Sequence, residues 1–392
     1  MNPSDYLATA PGQLIRTPRG YWAFDPAPLP PGMVWPSGLV SLLSEAERAL
    51  ARLSEVGRVF PAPHVMIRAF VRQEAVLSSR IEGTRTTLEQ LFTYEAARVS
   101  LLEQTADTRD VQNYVLALDY GLERLSSLPV SLRLIRELHE KLMAGARGEF
   151  WTPGEFRRSQ NWLGPPGSTL ETALYVPPPV DEMHAALDQL EKFIHAPSDL
   201  PLLIRLGLIH YQFEAIHPFL DGNGRVGRLL IALLLCEWGL LPQPLLYLSA
   251  FFEANRLEYY DRLLAVSRSG EWEGWLRFFL TGVRDQAREA VVRLHKLEML
   301  RGRYARQVQT GRTAERLLQV IDFLLGAPIV SVRQVQAGME ASDYKTARRY
   351  VEKLVQHGIL REVTGKGRHR LYRADEILQA IEGQLENFDT VL

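Results

Sequence analysis

The sequence predicts a mainly α-helical protein with one β-hairpin inside its helical body and a small α+β domain towards its C-terminal end. Three observations predict it. Apolar residues recur at helical spacing through most of the chain between Leu39 and Leu300. Proline and short extended pieces are concentrated in two stretches, residues 1–38 and 150–179, and the second is where the hairpin is expected. Beyond residue 312, three short helical segments precede two strand-like runs around Gly365.

In chain order, residues 1–38 read as an extended arm laid over a surface, rich in proline and aromatics such as Tyr21, Trp22, Phe24 and Trp35. A helix follows over Leu39–Leu53, then a proline break at Pro61 to Pro63. Ile67–Gly83 carries Ala69, Phe70, Val76, Leu77 and Ile81 at helical intervals and closes on Gly83, a fitting C-terminal cap. Thr86 and Glu89 have capping-box spacing for the next helix, which runs into Leu91 and Phe92. Asp110–Leu122 and Leu132–Met143 are amphipathic helices, and His139 on the second reads as a packed or solvated histidine. Two short strands around Pro165–Thr172 make the hairpin, whose edge could dock a peptide by strand addition.

Val180–His195 and Leu202–Phe213 restore the helical pattern, and Pro218 ends the second helix at about His217. Another helix starts at about Gly224 or Arg225 and is almost continuously apolar to Trp238. Phe251–Ser267 is apolar, with Tyr259 and Tyr260 open to either core packing or a pocket; Trp272, Trp275 and Leu276–Val283 read as core. Residues 284–311 form a charged connecting helix with Val291, Leu294, Leu297 and Leu300 on one face. The domain reading is an N-terminal arm and helical region over 1–110, a central domain over 111–283, the connector over 284–311 and a C-terminal domain over 312–392.

At 392 residues, 46% apolar and 23% charged, the composition is that of an ordinary globular protein of two or three domains. The net charge of −1 conceals an asymmetry: residues 312–373 hold twelve Lys/Arg against six Asp/Glu, so that segment is +6 and the remainder −7. A single cysteine, Cys236, excludes an intramolecular disulfide and fits a reducing compartment. No basic stretch leads into an apolar run at the N-terminus, and no window reaches about 18 apolar residues. Export and membrane insertion are therefore not expected, and a cytoplasmic location is.

The densest chemistry lies in His217-Pro218-Phe219-Leu220-Asp221-Gly222-Asn223-Gly224-Arg225-Val226-Gly227-Arg228. Asp221 to Gly224 is a turn of residues that tolerate left-handed backbone angles. It feeds a helix N-terminus, where unpaired N–H groups and the positive end of the dipole favour an anion. Arg225 and Arg228, three apart on one face of the first turn, oppose that dipole unless a polyphosphate lies between them. Asp221 is placed to hold Mg²⁺ beside such phosphates, and His217 to take a proton from an attacking hydroxyl. Residue by residue, a capped turn with solvated arginines accounts for each group; the joint spacing favours the phosphate site.

That run resembles the signature of the Fic (Fic/Doc) family, His-x-Phe-x-(Asp/Glu)-Gly-Asn-Gly-Arg-x-x-Arg, at every fixed position. The resemblance implies a Fic-type helical domain with a β-hairpin flap, and transfer of AMP from ATP to a Ser, Thr or Tyr hydroxyl of a target protein. It implies His217 as general base, Asp221 as Mg²⁺ ligand, and Gly222, Asn223 and Gly224 as anion-hole and phosphate contacts. Arg225 and Arg228 would hold the β- and γ-phosphates, with Val226 and Gly227 in the same nucleotide-binding turn. Tyr259 and Tyr260 would line the adenine pocket, and Ala173, Leu174, Tyr175 and Val176 would lie in the target-docking flap.

Ser78-Ser79-Arg80-Ile81-Glu82-Gly83 is similar to the family's inhibitory-helix motif, (Ser/Thr)-x-x-x-Glu-(Gly/Asn), on a helix over 67–83. The implied mechanism is that Glu82 pairs with Arg228 and takes the γ-phosphate site. In some relatives the same glutamate positions a water that removes AMP, and relatives are often homodimers, an expectation by analogy alone. Ala314–Leu325, Ser331–Ala337 and Ser342–His357, followed by a hairpin over Leu360–Val363 and His369–Tyr372, resemble a winged helix-turn-helix. Lys345, Arg348 and Arg349, with Lys366, Arg368 and Arg370 at the wing tip, suit DNA, and such modules also dock proteins. Two functions follow: an autoinhibited protein AMP-transferase, or a nucleotide-sensing DNA-binding transcriptional regulator. His217 favours the first, since a sensor needs the phosphate loop but no base.

Overall fold

The computed structural model describes residues 1–32, 36–60, 63–97, 105–145, 152–309, 313–339, 343–365 and 369–383. Trp35, Pro61, Ser342, Lys366 and Arg368 lie outside them. The elements run β1 (Gly12–Arg16), β2 (Trp22–Pro26), α1 (Ser37–Val59), α2 (Pro63–Ile81), α3 (Leu88–Ala97), α4 (Ala106–Arg124), α5 (Leu132–Leu142), α6 (Val180–His195), α7 (Leu202–Ile216) and α8 (Asn223–Glu237). There follow α9 (Ser249–Ala254), α10 (Arg256–Ser269), α11 (Trp272–Val308), α12 (Ala314–Gly326), β3 (Ile329–Ser331), α13 (Val332–Gly338), α14 (Tyr344–Gln356), β4 (Arg361–Glu362), β5 (Leu371–Arg373) and α15 (Asp375–Glu382). Helix dominates, and the strands form two small antiparallel sheets, so the fold is of the mainly α class.

The chain divides into two compact units. The first comprises Met1–Ala51, Leu116–Leu241 and Leu248–Gln286. Its centre is the pair α7 and α8, which are apolar on nearly every face and accordingly buried on nearly every face. Helix α6 packs on α7 and α5 on α8. The N-terminal portion of α11 closes on α7 where Gly207 lets it approach: the Trp275 indole donates to the Gly207 carbonyl at 2.9 Å, and a Cβ at Gly207 would meet Leu276 and Phe279 at 3.0 and 3.2 Å. The arm expected over residues 1–38 contains a strand pair, β1 and β2, in register Leu14↔Phe24. Its anchor is Phe24, fully buried, whose N–H donates to the Val176 carbonyl at 2.9 Å.

The second unit comprises Arg52–Val115, Pro242–Tyr247 and Ala287–Leu392. Helix α2 packs against α12 and α15, and α3 against β3. The sheet order is β3-β5-β4, and α12, α13 and α14 pack on one another beside it. Two pieces escape periodicity: β3 is too short to show alternation, and α15 spans barely two turns. Helix α2 ends in a full Schellman motif, with Gly83 at φ +103°, its N–H on the Arg80 carbonyl and the Thr84 N–H on the Ser79 carbonyl.

Three local expectations shift. The capping box that opens α3 is formed by Thr87 and Gln90, one residue beyond Thr86 and Glu89, because Thr86 is buried in contact with Thr108. The run 251–267 is broken at Asn255, which caps one short helix and starts the next. The two strands expected around 165–172 are reduced to one antiparallel bridge, Leu163↔Tyr175. Pro165 and Pro166 lack ladder donors, so the residues between close instead through turns and hydroxyls: Ser168 on the Pro165 carbonyl and Thr172 on the Thr169 N–H.

Candidate active site

The site is built where α7 ends and α8 begins. His217 caps α7 in the left-handed conformation, φ 49° and ψ 61°, unusual for a residue with a side chain. Its Nδ1 lies 3.3 Å from the Glu214 carbonyl, so the tautomer that donates there leaves Nε2 as the basic nitrogen. Gly222 then caps α8 at φ 81°, and a Cβ on it would press on Met143 Sδ at 3.2 Å and the His139 ring at 3.4 Å.

Between these caps the backbone is held from outside by side chains. Asn223 acts as a surrogate strand on Phe219: its Oδ1 accepts from the Phe219 N–H and its Nδ2 donates to the Phe219 carbonyl, both at 2.8 Å. Asn161 Nδ2 donates to the same carbonyl at 2.8 Å and to that of His217 at 3.3 Å. Arg157, 1% exposed, donates through Nε to the His217 carbonyl, through its N–H to that of Pro218, and through Nη2 to that of Pro178. Burial lowers it to about 10, which still leaves it charged at neutral pH. Phe219 is wholly buried, stacked on His139 at 3.8 Å and tilted against Phe156 at 5.3 Å.

The charged groups face the first turn of α8. Asp221 keeps 43% of its side chain exposed and pairs with Arg225 at 3.3 Å. Arg225 is 5% exposed, and its Nε is buried without a hydrogen-bond partner among the described residues. Arg228 is 3% exposed, and its charge acts on the nearby His210. Burial, with the Arg228 charge beside it, lowers His210 to about 3, so its ring stays neutral between the Gly227 carbonyl and the Tyr259 hydroxyl, at 3.3 and 2.8 Å. Gly227 is a close-approach glycine, since a Cβ there would collide with Glu214. Among the described residues no group of three or more His, Cys, Asp or Glu could hold a metal. One half-exposed carboxylate is a donor set that fits Mg²⁺ only in company with substrate oxygens.

Residues 40–123 match the Fic/DOC family N-terminal domain and residues 129–235 the Fic/DOC family domain. The chain carries both Fic/DOC domains. Among curated proteins, the protein adenylyltransferase Fic of Drosophila grimshawi is 27% identical over 246 residues, 59% of this chain and 47% of that protein. That of Drosophila virilis is 27% identical over 246 residues, covering 59% and 46%. The chain thus spans about half the length of the curated relatives it matches. A Fic family protein from Desulfovibrio desulfuricans G20 shares the fold at TM-score 0.57 and 21% identity, over 92% of this chain and all of that one.

In this Fic domain, His217, Asp221, Gly222, Asn223, Gly224, Arg225, Val226, Gly227 and Arg228 fall on one helix–turn–helix connection. The tyrosines part company: Tyr259 is 1% exposed and packed on Phe252 at 4.5 Å, whereas Tyr260 is 41% exposed. Of the flap residues, Ala173, Tyr175 and Val176 are buried and Leu174 is 48% exposed. The Tyr175 hydroxyl donates to the Ala215 carbonyl at 2.8 Å, pinning the bridge to α7. Ser78, Glu82 and Gly83 lie in the other unit, Ser78 fully buried on α2 and Glu82 exposed at its C-cap. Sequence reasoning missed Arg157, Asn161 and His210, and gave His139 no role. An arginine in a Pro-Gly-rich stretch gives no signal of its burial.

Proposed function

We propose that this Fic protein is an autoinhibited protein adenylyltransferase. His217 Nε2 takes the proton of a Ser, Thr or Tyr hydroxyl on the target protein as its oxygen attacks the α-phosphorus of ATP. The new O–P bond forms, the bond from the α-phosphorus to the α–β bridging oxygen breaks, and pyrophosphate leaves. The N–H groups of Gly222, Asn223 and Gly224 and the first turn through Val226 and Gly227 cradle the phosphates, while Arg225 and Arg228 hold their charge. Asp221 would hold Mg²⁺, which neutralises phosphate charge as the leaving group departs. For the adenine, Tyr260 is the accessible one of the two tyrosines.

The observation that carries this reading is the placement of a base and two buried guanidiniums around one helix N-terminus, with Arg225 Nε unsatisfied. Two guanidiniums buried at the positive end of a helix, one with its Nε unsatisfied beside the Asp221 pair, are stabilised by an added anion such as a polyphosphate. We read Glu82 as the competing anion: paired with Arg228, it would take the γ-phosphate position and keep transfer low. The exposed Leu174, beside the bridge at Leu163, would meet the target.

The test is incorporation of labelled AMP into protein in the presence of Mg²⁺ and ATP. Glu82→Gly should raise the signal above wild type, and Glu82→Gly with His217→Ala should lose it. Silence from Glu82→Gly sinks the enzyme reading, and a signal surviving His217→Ala sinks the assigned base. We read residues 312–392 as a winged helix-turn-helix, on the order α12, β3, α13, α14, β4, β5, with Lys345 and Arg349 exposed on α14. Gel-shift with duplex DNA across a salt series tests whether its partner is nucleic acid; binding that weakens steeply with salt supports it.

A further inference from the structure

We propose that His139 is a positioning residue: it holds the Asp221–Gly222 peptide in the one orientation that turns the Gly222 N–H towards a bound phosphate. The proposal rests on reading the Gly222 turn as a phosphate site.

His139 sits in the last turn of α5, 4% exposed and stacked 8° from parallel on Phe219. The Gly154 N–H donates to its Nδ1 at 2.9 Å. A ring nitrogen that accepts cannot also carry the proton, so in the neutral ring the hydrogen is on Nε2. Nε2 lies 3.1 Å from the Asp221 carbonyl, to which it therefore donates.

A trans peptide carries its C=O and N–H on opposite sides. With the Asp221 oxygen held by His139, the Gly222 N–H points away from the ring. The peptide needs such a hold, because glycine takes positive and negative φ about equally well and Gly222 permits a flip. In the flipped state the Gly222 N–H would face the Nε2–H, donor against donor, and the Asp221 carbonyl would turn on the phosphate. Asn161, Asn223 and Arg157 hold the His217, Pro218 and Phe219 carbonyls; the Asp221 carbonyl has His139.

The test compares three variants in a Glu82→Gly background. His139→Gln can still donate to Asp221 and accept from Gly154; His139→Phe keeps the stack on Phe219 with neither bond; His139→Met deletes both the bonds and the ring. Calorimetric titration with MgATP should show a loss of at least about tenfold for Phe and Met, against no more than about threefold for Gln. Adenosine should bind all three as it binds the parent, and a crystal structure of the Phe variant should show the peptide turned or in two orientations. Unchanged orientation with unchanged MgATP affinity overturns the proposal. So does an equal loss of MgATP and adenosine, which marks a merely structural histidine. If the parent binds no MgATP, the phosphate reading fails by itself, and the peptide orientation still decides the role of His139.

Discussion

The connection from His217 to Asn223 and the loop from Leu163 to Tyr175 are both short, polar and marked by glycine and proline, yet they are held by opposite means. The first is gripped by side chains, Arg157, Asn161 and His139 from outside it and Asn223 from its own end, and all four are buried. The second closes largely on itself, through a single bridge and hydroxyls at Ser168, Thr169 and Thr172, with the Met1 ammonium donating to its Leu170 and Glu171 carbonyls at 3.0 and 2.8 Å; it shows Leu163 and Leu174 at 38 and 48% exposure. Under the proposed function the first must hold its N–H groups on phosphate, and over-determination by side chains suits that task. Under the same reading the second meets the target, and fewer constraints with an apolar rim suit a loop that must adapt.

The largest effect expected on this contrast comes from pH, because the gripped region depends on neutral histidines and the loop on none. His139 and His210 titrate at about 4 and about 3, against an ordinary value of about 6.5. Below 6.5 the unfolded chain binds protons that the folded chain refuses, so stability is complete above that value and is lost as pH falls towards 4 and 3. Between pH 7 and 4.5 each histidine should cost roughly 3 kcal/mol, an order-of-magnitude figure. Urea unfolding at the two pH values measures the sum, and His139→Gln should remove its own share. A pH dependence unchanged in His139→Gln would mean that its ring is not held neutral.

Next in size is Arg157→Met, which keeps the stem and deletes the donors. The His217 and Pro178 carbonyls lose a partner in a buried setting, at a cost of about 2 to 4 kcal/mol. Transfer activity of the Glu82→Gly form should fall with it, since His217 loses its anchor, whereas the Leu163–Tyr175 bridge should keep its protection in hydrogen exchange. Equal loosening of both regions would erase the contrast.

How much of this was legible in the sequence follows the same division. The mainly α class, the ends of α6 and the turn into α8 were readable because periodicity, Pro218 and Gly222 act locally. Arg157 and Asn161 were not, because their role depends on where residues 152–161 come to lie, which no spacing encodes. Nor was the companionship of α2 with α12 and α15, whose partners are more than two hundred residues apart in the chain. The hairpin was overread because two strands were inferred where prolines leave only one bridge. Tyr259 and Tyr260 could not be told apart, since neighbours on a helix point about 100° apart and only the surrounding core, here Phe252 and Trp275, decides which is covered.

Two smaller changes dissect the loop itself. Tyr175→Phe removes the hydroxyl bond to the Ala215 carbonyl of α7, and should lower stability by about 1 kcal/mol while loosening residues 163–175 in hydrogen exchange. Leu174→Asp should leave unfolding unchanged within about 0.5 kcal/mol, because its side chain is half in solvent already. Its effect should fall elsewhere: in the Glu82→Gly background MgATP should bind as before, while AMP transfer to added protein drops. That separation is what distinguishes a loop that presents the target from one that shapes the phosphate site. A Leu174→Asp protein that lost MgATP binding would place the loop with the gripped region and collapse the distinction.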